Sequence, residues 1–75
     1  MSDDLIEIRR VAAVVHELRG YRPAVRTAYQ WADVGVRGLR LETTRIGGRV
    51  LTRVSWVAEF LDELDRRAAA RSEAP

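Results

Sequence analysis

Two adjacent glycines, Gly47 and Gly48, separate Thr43-Thr44-Arg45-Ile46 from Arg49-Val50-Leu51-Thr52, and that arrangement leaves the middle of the chain few ways to fold. A two-residue loop needs positive φ at both positions, and glycine supplies it without a Cβ penalty, so the pair predicts a tight β-hairpin. A strict two-residue loop sets Ile46 opposite Arg49 and Arg45 opposite Val50, mixing apolar and charged groups on each face. A longer loop or a bulge is the alternative, and the register stays open. Upstream, Val34-Gly35-Val36-Arg37-Gly38 breaks any helical period, and Leu39-Arg40-Leu41-Glu42 then alternates as a half-buried strand does.

Helical periods flank this segment. Ile8, Val11, Ala12, Val15 and Leu18 share one face of a first helix expected over about Glu7 to Arg19, with Asp3, Asp4 and Glu7 suited to its start and Gly20 to its stop. Pro23 fits the first turn of a second helix over about Ala24 to Val34. There Ala24, Val25, Ala28, Trp31 and Ala32 form the core stripe, Arg26, Gln30 and Asp33 face away, and Tyr29 lies at the edge. Thr52 is placed to cap a third helix with Trp56, Val57, Phe60, Leu61 and Leu64 inward and Glu59, Asp62 and Glu63 outward. Beyond Arg67 the Ala-rich tail, ending Arg71-Ser72-Glu73-Ala74-Pro75, is expected to fray.

The expected fold is mostly α with a β-hairpin: a single domain over residues 1–75, in the order helix, helix, two-stranded wing, helix. Two helices joined by Arg19-Gly20-Tyr21-Arg22-Pro23 and followed by a hairpin make a small winged helix-turn-helix. A chain of 75 residues has room for one small core and for no separate catalytic or sensing domain, so its stability should be marginal and raised by a partner. The absence of cysteine excludes disulfides and thiolate metal sites, and a lone His16 argues against structural zinc. No apolar run approaches the ~18 residues of a membrane span. The start, Met1-Ser2-Asp3-Asp4, is acidic where a signal peptide is basic. The expected compartment is the cytoplasm, in association with the nucleoid.

Charge is unevenly spread. Between Arg19 and Arg53 lie eight arginines and two acids, Asp33 and Glu42, a net +6, whereas residues 1–18 and 54–75 each carry −2. A basic centre between acidic ends points to a polyanionic partner. All thirteen basic residues are arginine. That is either a GC-rich genome's codon choice or a use of the guanidinium fork, which suits phosphates and guanine edges.

The stretch Pro23-Ala24-Val25-Arg26-Thr27-Ala28-Tyr29-Gln30-Trp31, followed by the glycine-tipped Ile46-Gly47-Gly48-Arg49, resembles phage excisionases of the lambda type, within the broader MerR-like winged-helix group. Their recognition helix carries a Thr-x-x-x-Trp stretch like Thr27 to Trp31, and their wing a Gly-Arg like Gly48-Arg49. Gly35-Val36-Arg37-Gly38-Leu39-Arg40-Leu41-Glu42 also resembles a family of small, uncharacterised bacterial proteins; the likeness covers about Leu5 to Leu64. The resemblance implies a binder that bends attachment-site double-stranded DNA and helps recruit an integrase, with several copies associating side by side. By position it implies base contacts from Arg26 and Gln30 and a wing contact from Arg49. Lambda-type proteins carry an acidic residue where Arg26 stands and an arginine where Gln30 stands, so base preference should differ. Ala24 replaces the serine that caps their recognition helix.

The residue chemistry reads similarly without the resemblance. Arg26 can fork onto guanine O6 and N7, and Gln30 can pair with adenine N6 and N7 one turn along the same face. The competing reading of Arg26 is a solvated residue paired with Asp33 or Glu42. Thr27 and Tyr29 carry hydroxyls that reach phosphates, or Tyr29 shields the core edge. Arg22, Arg37, Arg40 and Arg45 are phosphate candidates, each equally readable as an exposed charge, and Arg49 at the hairpin tip is suited to a minor groove. Asp33 opposes phosphate unless it accepts from cytosine N4 or orients Arg26 or Arg37. Trp31 reads as core.

No cofactor and no catalytic activity is expected. His16 sits beside Glu17 on a polar edge, Ser55 has no base placed to activate it, and Gly47-Gly48 lacks the lysine of a phosphate loop. Glu59, Asp62, Glu63 and Asp65 read as a solvated face or a protein contact. Three functions follow in order: an architectural, excisionase-like DNA binder; a small MerR-like transcriptional regulator, which normally adds a dimerisation helix and an effector module; and a protein-interaction module docking through the third helix.

Overall fold

A computed structural model describes residues 3–73 and contains three helices and a three-stranded antiparallel sheet. The Met1-Ser2 start and the tail's last residues, Ala74 and Pro75, lie outside the described residues. Strand β1 (Leu5–Glu7) runs into a 3₁₀ turn (Ile8–Arg10) and helix α1 (Val11–Arg19); α2 (Val25–Asp33) follows, then β2 (Thr44–Ile46), β3 (Arg49–Arg53) and α3 (Val54–Glu73). The architecture is mixed α and β, with the sheet ordered β1-β3-β2.

The hairpin takes the strict register. Gly47 (φ 57°) and Gly48 (φ 80°) form the loop, and Thr44, Arg45 and Ile46 face Leu51, Val50 and Arg49. The mixed pairing is tolerated because β3 is the central strand. Its alternate residues Val50 and Thr52 point into the molecule, where Thr52 is fully buried and Val50 packs on the core. Arg49, Leu51 and Arg53 lie on the other face, where the neighbouring β1 sets Leu5 beside Arg53 and Glu7 beside Leu51. Arg45, paired with Val50, therefore shares the inward-looking face, and Arg49 does not.

Several expectations need correction. Glu7 ends β1 and does not start a helix, because Leu5-Ile6-Glu7 completes the hydrogen bonding of β3's free edge. The first α-helix starts at Val11 after the 3₁₀ turn, and its inner face is Val11, Ala12 and Val15 while Leu18 is 38% exposed. Gly20 does end it, in the left-handed conformation with its N–H on the His16 carbonyl. Pro23 precedes Ala24, the N-cap of α2, which makes no side-chain cap bond. Ala24 and Val25 are exposed, since α2 meets the 3₁₀ turn and α1 through Ala28 and Trp31 further along.

Leu39-Arg40-Leu41-Glu42 is not a strand. Val36 and Leu39 exchange both backbone hydrogen bonds (2.8 and 2.9 Å) across a tight turn in which Arg37 (φ 52°) and Gly38 (φ 82°) are both left-handed. The alternating pattern reflects burial without strand pairing: Leu39 packs half-buried against the core, and Leu41 enters it while its N–H donates to the Trp31 carbonyl (2.9 Å). Thr52 does not cap α3. Its hydroxyl donates to the Glu42 carbonyl (2.8 Å), pinning this irregular connection to the sheet. The cap comes from Asp3, whose carboxylate accepts from the Ser55 N–H (3.1 Å) and hydroxyl (2.5 Å). Helix α3 continues past Arg67 to Glu73.

The core joins Ile8, Val11, Val15, Ala28, Trp31, Leu41, Val57, Phe60 and Leu61. Trp31 packs on Phe60 with ring centroids 5.2 Å apart and planes tilted by 44°. Among the described residues no helix is long and apolar enough to cross a membrane.

Two stability predictions follow from this geometry. A Cβ on Gly35 (φ 83°) would stand 2.4 Å from the Leu39 carbonyl oxygen, whereas one on Gly20 (φ 83°) meets nothing within 4 Å. Gly20→Ala should therefore cost only the left-handed penalty of ~1 kcal/mol, and Gly35→Ala ~3 kcal/mol or more, a Tm difference of about 10 °C or more by thermal denaturation. The Ser55 hydroxyl and then the Ser55 N–H hold the Asp3 carboxyl below its ordinary value of 3.8, against a weaker opposing effect of burial and with help from Arg53. A depressed folded-state pKa stabilises above the unfolded value and stops doing so as pH falls through the folded one. The Tm gap between wild type and Asp3→Asn should be full at pH 6 and shrink below about pH 4.

Candidate nucleic-acid interface

Helix α2 shows solvent the face it does not bury: Arg26, Tyr29, Gln30 and Asp33 are all exposed. Between this face and the hairpin lies an open concavity of about 370 Å³ lined by Arg26, Tyr29, Gln30, Ala32, Asp33, Thr43, Arg45 and Val50. The helix contributes Arg26 and Gln30 one turn apart, and strand β2 contributes Arg45 from the opposite wall. Tyr29, 50% exposed, is the ridge between this concavity and a second one of about 450 Å³ formed by Glu7, Ile8, Arg9, Tyr29, Gly48, Arg49 and Val50.

The other arginines divide by what holds them. Arg19 pairs with Asp62 (2.5 Å) and Asp65 (3.4 Å) of α3, and the Asp62 hydrogen bond raises its pKa further. Arg53 donates to the Asp3 carbonyl and lies 5.3 Å over the Trp56 ring. Arg49 donates to Glu7 (3.4 Å). Arg26 makes no ion pair with Asp33 or Glu42, and Asp33 holds neither Arg26 nor Arg37 within ion-pair distance; Arg22 and Arg45 are likewise exposed and unpaired among the described residues.

Of the residues singled out in the sequence, the structure thus groups Arg26, Tyr29, Gln30 and Arg45 around one concavity, with Gly48 and Arg49 around its neighbour. Arg22 is exposed in the connection between α1 and α2, and Thr27 is half-buried and lines neither concavity. Arg37 and Arg40 lie elsewhere. The Arg37 carbonyl accepts from Arg67 of α3 (3.3 Å), and Arg40 lines a smaller hollow with Leu39, Glu42, Trp56, Glu59, Phe60 and Glu63. Arg9, unmarked by sequence reasoning because it fell within an expected first helix, joins the basic face through the second concavity. The signal that would have found it is β1, too short at three residues to stand out by period.

No curated protein and no solved structure matches the chain. A family model described as a protein of unknown function (DUF1580) matches residues 11–65, from the start of α1 into α3. With well over half its length matched, the chain belongs to the DUF1580 family.

Proposed function

We propose that this protein is a non-enzymatic binder of double-stranded DNA that uses α2 as a recognition helix and the β2–β3 hairpin as a wing, in the manner of a winged helix-turn-helix. The observation that carries the reading is the concavity in which Arg26 and Gln30 of the helix face Arg45 of the hairpin, with both arginines free of ion pairs among the described residues. Groups already paired would have to be released before meeting a duplex, and these need no release. A major groove about 12 Å wide accepts a helix such as α2, and the hairpin beside it reaches the flanking backbone. Arg26 and Gln30 then read base edges, and Arg45, Arg49 and Arg22 hold phosphates, with the Tyr29 hydroxyl adding a contact between them. The role is architectural, resembling that of lambda-type excisionases, with a recombinase and further copies of the chain as partners on the DNA in the nucleoid. A MerR-like regulator would use the same surface on a promoter.

Arg37 and Arg40 line neither concavity and have no part in this docking. Titration of a duplex against salt should give log K falling with log[salt] at a slope of about −3, from ~−0.9 for each of the three arginine–phosphate contacts. No binding at low salt would sink the reading and leave α3 as a protein-interaction surface. Arg26→Ala and Gln30→Ala should relax sequence preference by ~1–3 kcal/mol, while Arg49→Ala weakens binding to all sequences alike. Arg40→Ala should leave the affinity unchanged. Competition binding with a randomised duplex pool reads all four outcomes together.

A further inference from the structure

The second concavity is built to hold an anion, and the chain's own carboxylate occupies it. Arg9 Nε lies 2.6 Å from Glu7 Oε2, and Arg49 Nη1 lies 3.4 Å from Glu7 Oε1, so two guanidinium groups from different elements converge on one carboxylate. Arg9 comes from the 3₁₀ turn and Arg49 from the start of β3, brought together because β1 pairs with β3. The Tyr29 ring and the Gly48 backbone complete the walls of this hollow of about 450 Å³, and Glu7 is the one acidic residue lining it. Both arginines stay largely open to solvent, with 64% and 74% of their side-chain surface exposed, against 33% for Glu7.

We infer that Arg9 and Arg49 form a phosphodiester-binding site in which Glu7 stands in for the phosphate until nucleic acid displaces it. A carboxylate and a phosphodiester offer a guanidinium the same pair of anionic oxygens, so one can exchange for the other at this site. The exchange lowers affinity for the backbone: the two ion pairs are broken on binding, and the released Glu7 carboxylate then repels the strand. Arg9 thereby becomes a DNA-contacting residue that no sequence motif marks, and Glu7 becomes the residue that limits how tightly the wing holds any duplex. The inference rests on the duplex-binding reading and fixes where the wing touches the backbone.

The test measures wild type, Glu7→Gln, Arg9→Gln and the double variant on one 20-base-pair duplex across a salt series, with thermal denaturation as a check of folding. Exposed ion pairs contribute little to stability, so all four proteins should melt within a few degrees of each other. Glu7→Gln should bind about three- to tenfold tighter at low salt with a steeper salt slope, as expected for removing one negative charge beside a phosphate. Arg9→Gln should bind about threefold or more weaker than wild type, and the double variant should lose most of the gain seen in Glu7→Gln. If wild type binds the duplex and Glu7→Gln binds no tighter, the stand-in role is wrong while the duplex reading survives. Wild-type affinity retained by Arg9→Gln removes Arg9 from the interface, and binding by none of the four overturns both proposals.

Discussion

The arrangement depends on one buried hydroxyl in the central strand. Thr52 is completely enclosed, and a polar group there is tolerated only with a partner, which it finds in the Glu42 carbonyl 2.8 Å away. That bond spans the sheet and the irregular segment arriving from α2, while the Leu41 N–H fastens the other side of the segment to the Trp31 carbonyl. An unstructured connection passing beside a core must satisfy its backbone polar groups, and these two bonds do so at neighbouring residues. Leaving either group unpaired would cost ~1–3 kcal/mol, a large part of the margin available to so small a domain. The consequence reaches the surface. With Leu41 and Thr52 fixed, the hairpin is held at a set distance and facing from α2, and the Arg45 side of the wing turns toward Arg26 and Gln30.

Electrostatics then sorts the arginines. Acids of α3 take Arg19, Arg66 and Arg67, and Asp3 takes Arg53 through its carbonyl. Such exposed contacts add little to stability, so their importance lies more in where positive charge is left uncompensated. Among the described residues the ion pairs concentrate along α3 and at Glu7, whereas Arg26 on the exposed side of α2 and Arg45 on the hairpin make none. A total charge of +2 would not suggest this, because the acids that balance the arginines lie on another side of the fold.

Helical stripes were legible because a period of 3.6 over nine or more residues leaves little choice: Val11, Val15, Ala28, Trp31, Val57, Phe60 and Leu61 are buried as their spacing requires. The glycine pair revealed the hairpin for a similarly local reason. What could not be read was non-local. Strand β1 is three residues long and exists because β3 offers it an edge far along the chain, Leu5 pairing with Arg53 48 residues later. Asp3 looked like a helix-starting acid and is one, but for α3, since capping depends on which helix end lies nearby in space. Leu39 to Glu42 alternates like a strand, yet the left-handed Arg37 closes a turn just before it, a conformation that costs a residue other than glycine ~1–2 kcal/mol and that no pattern announces. Arg37 and Arg40 line neither of the two concavities beside α2.

Asp33 is the residue that local stability and charge both disfavour where it stands. It occupies the last position of α2, where the helix dipole is negative and a carboxylate costs ~0.3–1 kcal/mol, and the last turn holds no basic residue to offset it. It also lines the concavity that gathers Arg26 and Arg45, without pairing to Arg26. Placements that break a local rule concentrate where function imposes them. Arg26, Gln30 and Asp33 follow one stripe, ~6 Å and then ~4.5 Å apart along the axis at 1.5 Å per residue, about three base-pair steps in all. Under the duplex-binding proposal a phosphate cannot lie against the Asp33 end, whereas the cytosine amino group, a donor in the major groove, can. In that proposal the carboxylate would orient the helix, with its Arg26 end next to the backbone or a guanine and its Asp33 end over base edges. The same carboxylate penalises any docking that sets phosphates along the whole of α2, so a helix that gained affinity only from charge would be better without it.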